Sequence, residues 1–241
     1  MLRPFRRHPR LQAIRIWSCY QVTDRGVGYV CTIPNLRSLD IYDCSITDEA
    51  IDSISDVRTL EDLSISEVKV SWKFLAQLGQ LQRLKSLDLE GIYRPDLDVI
   101  SHPDISFCRK LTNLEKVRIC GLPIDAQFLA PLADVSKLHT LELRGNSNLT
   151  DQHLKVLSGA TQLKVLNVSL CAGLTPRCLE YLRSLNLVEL NLGECAAMKH
   201  AAEVLMKFSS LKTLNLGGTG IEEADLTRLR AALPDTDIYG S

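Results

Sequence analysis

Leu36-Arg-Ser-Leu-Asp-Ile-Tyr-Asp-Cys-Ser-Ile-Thr-Asp-Glu-Ala-Ile-Asp-Ser-Ile54 contains one complete structural unit. Leu39 and Ile41 alternate with Ser38 and Asp40, the period of a short half-buried strand. Cys44 turns inward behind that strand. Thr47 stands where a helix N-cap belongs, with Asp48 and Glu49 in the first turn, near the positive end of the helix. Ala50, Ile51 and Ile54 return at helical spacing and cover the apolar side of the strand. The same plan reads in Leu141-Glu-Leu143 followed by Thr150-Asp-Gln-His-Leu-Lys-Val-Leu157.

The opening of this unit, Leu-x-x-Leu-x-Leu with aliphatic replacements, occurs nine times. It starts at Leu11, Leu36, Leu60, Leu84, Leu114, Leu138, Leu163, Leu187 and Leu211, with gaps of 25, 24, 24, 30, 24, 25, 24 and 24 residues. A period near 24 predicts a solenoid whose units stack in line, since no unit buries its apolar face alone. The last two residues of every triad are aliphatic, from Ile14/Ile16 to Leu214/Leu216. Each such side chain is worth roughly 1.5–3 kcal/mol when fully buried. One array therefore runs over the 241 residues as a single domain, with a C-terminal cap at about 225–241.

Composition excludes several functional classes. A net charge of −1 gives no basic field to recruit nucleic acid. No apolar run reaches the roughly 18 residues that span a bilayer. The first ten residues carry four arginines and no acid, a bias shared with mitochondrial transit peptides. They fit better as the tail of a helix, because Phe5-Arg-Arg-His-Pro-Arg-Leu11 parallels Val30-Cys-Thr-Ile-Pro-Asn-Leu36. Of eight cysteines, Cys19, Cys44, Cys171 and Cys195 share one repeat position, eight residues after the first leucine. No Cys-x-x-Cys occurs, so the common zinc and redox spacings are absent. Regularly placed thiols of this kind act as small buried hydrophobes and suit a reducing, cytoplasmic compartment.

The pattern Leu-x-x-Leu-x-Leu-x-x-Cys-x-x-Ile/Leu-Thr, clearest at residues 36–47 and 163–175, resembles the leucine-rich-repeat family and its cysteine-containing subtype. Val68, Ile92, Leu122, Asn146 and Thr219 replace the cysteine in the other repeats. The resemblance implies an α/β leucine-rich-repeat solenoid, with about nine parallel strands in a curved sheet and helices on the convex side. It also implies an intracellular interaction module. The subtype is similar to the substrate-recognition halves of F-box ubiquitin-ligase subunits and to protozoan repeat proteins. No F-box-like helical segment precedes Leu11.

Function is carried by side chains that the repeat does not use. Along the strands the exposed middle position reads Arg15, Asp40, Ser64, Asp88, Arg118, Glu142, Asn167, Asn191 and Asn215. The position after the strand core begins with Trp17, Tyr42, Ser66 and Glu90 and continues through Arg144. Equivalent residues on adjacent strands stand side by side. Trp17 and Tyr42 form an aromatic zone of the kind that anchors interfaces; the other reading has Trp17 covering an open end. Asp40, Asp43, Asp62, Glu67, Asp88 and Glu90 form an acidic zone that either steers a basic partner or is a solvated face. These carboxylates lack the loop spacing of a calcium site. Lys116, Arg118 and Arg144 form a basic cluster beside Glu142. The asparagine column reads as local hydrogen bonding.

The six extra residues before Leu114 lie in the segment 91–110, punctuated by Pro95 and Pro103. They form either a binding loop, with Tyr93 and Arg94 overhanging the inner face, or a lengthened outer helix without a role. The five histidines have no zinc spacing, and no phosphate loop or nucleophile elbow occurs. The sequence thus points to a non-enzyme without cofactor, metal or small-molecule substrate. Its partner is a protein, with a basic surface if the acidic zone is the contact. A permanent subunit docking through an open N-terminal end, and a regulatory domain of a ligase or cyclase, are the alternatives.

Overall fold

The computed structural model describes residues 8–71, 75–92, 104–122 and 124–240. Among them ten strands form one sheet in chain order: β1 (Ala13–Trp17), β2 (Ser38–Tyr42), β3 (Asp62–Ser66), β4 (Ser86–Glu90), β5 (Lys116–Cys120), β6 (Thr140–Glu142), β7 (Val165–Asn167), β8 (Glu189–Asn191), β9 (Thr213–Asn215) and β10 (Asp237–Tyr239). The chain forms two compact units, Met1–Arg118 and Ile119–Ser241. In the first, Ile14, Leu39, Leu63 and Leu87 pair in parallel register, as do Ile16, Ile41, Ile65 and Leu89. In the second, Leu141, Leu166, Leu190, Leu214 and Ile238 line up in the same way. The fold is an α/β leucine-rich-repeat solenoid. Nine strands follow from the nine leucine triads; the tenth comes from the last residues, after Leu226, Leu229 and Leu233 are buried.

Helices α1 (Asp24–Val30) and α2 (Asp48–Ser55) belong to the first unit. The second contains α3 (Ala126–Ala133), α4 (Asp151–Lys155), α5 (Arg177–Leu182), α6 (Ala202–Leu205) and α7 (Glu223–Ala232). Thr47 caps α2 as its sequence requires, accepting from the Glu49 N–H at 3.4 Å. A tie between repeats accompanies the cap. Asp24 accepts from the Thr47 N–H and hydroxyl at 2.7 and 3.1 Å, Asp48 does so from Ser71 at 2.6 and 3.0 Å, and Asp151 from Thr175 at 2.8 and 2.6 Å. The first aspartate of one helix thus fixes the start of the following helical or turn segment. A charge-assisted pair of this kind is stronger than a neutral hydrogen bond.

Each of β1 to β9 is followed by a residue with a left-handed backbone. Ser18, Asp43, Glu67, Gly91, Gly121, Gly145, Leu170, Glu194 and Gly218 all lie seven residues after the first leucine of their repeats, at φ between 50 and 71°. Only glycine adopts this region without strain; other residues give up about 1–2 kcal/mol. Four repeats use glycine and five do not.

The cysteine position closes the turn. Cys44, Cys171 and Cys195 donate to the preceding strand's carbonyls at Ile16, Leu143 and Val168, at 3.5, 3.3 and 3.2 Å. Asn146 does more with a larger group: its amide donates to Ile119 and Leu143 carbonyls at 2.8 and 2.7 Å and accepts from the Leu122 N–H at 2.7 Å. Thr219 donates to the Leu216 carbonyl at 2.6 Å. Cys19 departs from the expected inward position. It is exposed and turns its thiol to the Trp17 carbonyl at 3.2 Å. No strand precedes β1 among the described residues, so the carbonyl that receives the other thiols has no counterpart there.

No cysteine is in a disulfide. Burial pushes the Cys31 thiol up to about 12 and that of Cys171 to about 11, and raises those of Cys108 and Cys178 still further. A buried thiol held protonated does not attack an electrophile. Treatment of the native chain with a maleimide is therefore expected to modify Cys19 first. Cys44, Cys108, Cys171, Cys178 and Cys195 should react only in denaturant, as peptide mapping would show.

Candidate functional site

On the exposed face of the first unit the register sets Arg15, Asp40, Ser64 and Asp88 in one column and Trp17, Tyr42, Ser66 and Glu90 in the next. β3 contributes only serines between larger neighbours, so the face dips there. The resulting depression has a volume of about 360 Å³. Trp17, Asp40 and Tyr42 wall one side, Asp88, Glu90 and Arg118 the other, with Ser64 and Ser66 between. Trp17 is 57% exposed and Tyr42 43%, although both are large apolar groups.

The indole is held in place. Its Nε1–H donates to Asp40 at 2.9 Å, and the Arg15 guanidinium lies over the ring at 5.9 Å, 3.9 Å from the same carboxylate. A ring fixed in this way loses little freedom when a partner packs on it, which favours binding. On the far wall Arg118 spans Asp88 at 3.0 Å and Glu90 at 2.8 Å. This corrects the expected basic cluster. Arg118 reaches back from β5 to β4 and belongs to the acidic depression, because a long flexible side chain follows the nearest carboxylates rather than its sequence neighbours. The acidic zone is therefore partly neutralised.

The other expected residues are more scattered. Asp43 and Glu67 occupy left-handed turn positions beyond the strand ends. Asp43 accepts from the Tyr20 hydroxyl at 2.7 Å, a bond that, with the carboxylate's charge, raises the hydroxyl's pKa. The Glu67 carboxylate lies in the space that a side chain at Gly91 would need. Asp62 opens β3, and its carboxyl is raised by partial burial and then by the charges of Glu61 and Glu115. Glu61 itself is lowered by Lys85, 2.8 Å away, and by Arg37 at 2.7 Å. Lys116 opens β5. Arg144 lies in the second unit, beside a separate depression that includes Leu170 and Glu194. Tyr93 and Arg94 fall outside the described residues.

Two exposed groups escaped the sequence reading. Tyr20, 65% exposed, sits in the turn after β1, outside the strand columns. Leu170 is exposed for a backbone reason that its residue type conceals. The asparagine column does bond locally: the Oδ1 atoms of Asn167, Asn191 and Asn215 accept from the N–H groups of Ser169, Gly193 and Gly217 at 3.0, 2.9 and 3.0 Å. Among the described residues no group of three or more His, Cys, Asp or Glu is placed to hold a metal ion, and no helix is long and apolar enough to cross a membrane.

No protein-family model matches the sequence. Among solved structures, the chain is similar to one in the crystal structure of the Rad7 and Elc1 complex in yeast, with a TM-score of 0.71 and 17% identity. The match covers 95% of this chain and 63% of that one, so this chain spans less than two thirds of its neighbour's length. It is also similar to an internalin from Listeria monocytogenes, at a TM-score of 0.43 and 17% identity over 96% of this chain and 82% of that one. The first likeness is one of fold; the second is too distant to bear on it.

Proposed function

We propose that this chain is a non-catalytic interaction module that binds a protein or peptide segment on the exposed sheet face of its first unit. The observation that carries this reading is the pair Trp17 and Tyr42, exposed on adjacent strands above a depression whose far wall is acidic. Apolar rings held in water without packing are the usual anchors of an interface. Asp40, Asp88 and Glu90 outnumber Arg118 around the depression, so the complementary segment carries basic side chains. Such a side chain would lie over the Tyr42 or Trp17 ring and approach Asp40. Tyr20 and Asp43 extend the surface beyond β1 and β2.

A cytoplasmic setting fits the thiols, which are buried and not oxidised to disulfides. A second reading, that the chain is one subunit of a stable assembly, draws support from the likeness to a chain crystallised within a complex. Substrate recognition for a ubiquitin ligase is one form of that reading.

Fluorescence anisotropy with labelled peptides of equal length, one basic, one neutral and one acidic, tests the proposal. The basic peptide should bind best, and more weakly as salt rises. Trp17→Ala should weaken it about tenfold, the scale expected of an anchoring aromatic. Replacing Asp40 and Asp88 together by lysine should abolish it, with an unchanged circular dichroism spectrum. Equal binding of all three peptides, or full affinity in Trp17→Ala, would overturn the assignment.

A further inference from the structure

Cys19 and Cys44 hold the same position in adjacent repeats, just past the ends of β1 and β2. Trp17 pairs with Tyr42, and beyond them the Ser18 N–H donates to the Tyr42 carbonyl at 2.9 Å. On the other flank the Tyr20 hydroxyl donates to Asp43 at 2.7 Å. The two turns are therefore tied together on both sides of Cys19. Between these ties the Cys19 N–H faces the Cys44 sulfur. Both thiols donate to carbonyls at the end of the same strand, Cys19 to Trp17 at 3.2 Å and Cys44 to Ile16 at 3.5 Å. Neighbouring strands run about 4.8 Å apart, inside the Cα separation of about 4.4–6.8 Å that a disulfide bridges.

The two thiols differ in access. Cys19 is exposed, whereas Cys44 is buried with 7% of its surface in water. An exposed thiol beside a sheltered one is an arrangement that oxidises reversibly, because the neighbour intercepts the first oxidation product. The second unit contains the contrasting case. Cys171 and Cys195 stand in the same relation on consecutive repeats, and each donates to a carbonyl of the preceding repeat. Both are completely buried, so no oxidant reaches either sulfur. Packing accounts for that pair as small core groups. It does not account for Cys19, which stands in water and fills no core.

We propose that Cys19 and Cys44 form a reversible disulfide when hydrogen peroxide reaches the exposed thiol. The Cys19 sulfur attacks one peroxide oxygen and the O–O bond breaks. The thiol is oxidised to a sulfenic acid and the peroxide is reduced, releasing one water. The Cys44 sulfur then attacks the Cys19 sulfur. The S–O bond breaks, the Cys44 proton goes to the departing oxygen, and a second water leaves. Two thiols and one hydrogen peroxide thus give one disulfide and two waters. Burial raises the pKa of the Cys44 thiol, so proton transfer to the departing oxygen takes the place of a free thiolate. Bulky reagents do not reach Cys44, but the sulfenic acid forms on the residue that faces it. A dithiol restores both thiols by exchange. The bond staples β1 to β2 and does not depend on whether Trp17 anchors a partner.

In the test, the reduced full chain is treated with equimolar hydrogen peroxide, alkylated and digested with trypsin. Cleavage after Arg25 and Arg37 puts the two cysteines on separate peptides. A linked Cys19–Cys44 pair should form in more than half of the chains and vanish with dithiothreitol, while Cys171 and Cys195 remain thiols. The Ser18 N–H should exchange with solvent at least tenfold more slowly after oxidation, a change that Cys19→Ser abolishes. In Cys44→Ser the sulfenic acid should persist at Cys19 and be trapped by dimedone. Cys19→Ser alters only an exposed side chain and keeps the fold, so it serves even where Cys44→Ser does not fold; in it Cys44 should stay unoxidised. An unmodified Cys19, its oxidation to sulfinic acid without the cross-link, a disulfide between two chains in its place, or equal linkage of Cys171 to Cys195 sinks the proposal.

Discussion

Replacing Asn146 by alanine is expected to cost about 3 kcal/mol of folding stability. The side chain is completely buried and makes three hydrogen bonds, to the N–H of Leu122 and the carbonyls of Ile119 and Leu143. Alanine removes all three and leaves the Leu122 N–H buried without its partner, at about 1–3 kcal/mol for that group alone. The loss of the two carbonyl bonds and a small void add to it. Urea denaturation followed by circular dichroism should show a lower midpoint with an unchanged slope. Asn146→Cys should fall between alanine and wild type, because a thiol still reaches a strand carbonyl but has nothing to offer the N–H. If alanine and wild type unfold together, the proposed role of this amide in closing the repeat is wrong.

Gly173→Ala should destabilise by about 2 kcal/mol, the upper part of the range for overfilled packing. The reason is not its backbone angle. A Cβ there would stand 2.6 Å from the Leu149 carbonyl oxygen, a main-chain atom of the preceding repeat that cannot swing aside. Gly121 gives the opposite case: nothing lies within 4 Å of an added Cβ, but φ is +69°. Alanine there should cost only about 1 kcal/mol, from backbone strain alone. Thermal melts of the two variants separate a steric requirement for glycine from a conformational one. Equal losses would show that the repeats slide apart more readily than their hydrogen bonds suggest.

The strand columns were readable because their chemistry repeats with the structure. Leu39 and Ile41 alternate as a strand does, and Thr47-Asp48-Glu49 is a helix start in any context. Three features were hidden for different reasons. The left-handed column shares a backbone angle and no side-chain property, so Ser18, Glu67, Leu170 and Gly218 do not resemble one another in sequence. Arg118 was grouped with Lys116 and Arg144 by proximity along the chain and by column, yet its guanidinium pairs with carboxylates 28 and 30 residues away. Cys19 occupies the same register as Cys44, but what surrounds it depends on the strand that precedes it, which the repeat pattern cannot supply. For the candidate site, the columns gave the aromatic pair and the acidic wall. They did not give the indole-to-Asp40 bond or the serine dip, because both arise from how adjacent strands sit beside each other.

The aspartate ties to Thr47, Ser71 and Thr175 each span 23 or 24 residues, one repeat and no more. A staircase whose steps are fastened only to the adjacent step has no preferred number of steps. Copying one complete unit in tandem would create only junctions that the chain already knows how to make, so reach across a larger target can be gained by duplication, without redesigning any existing surface.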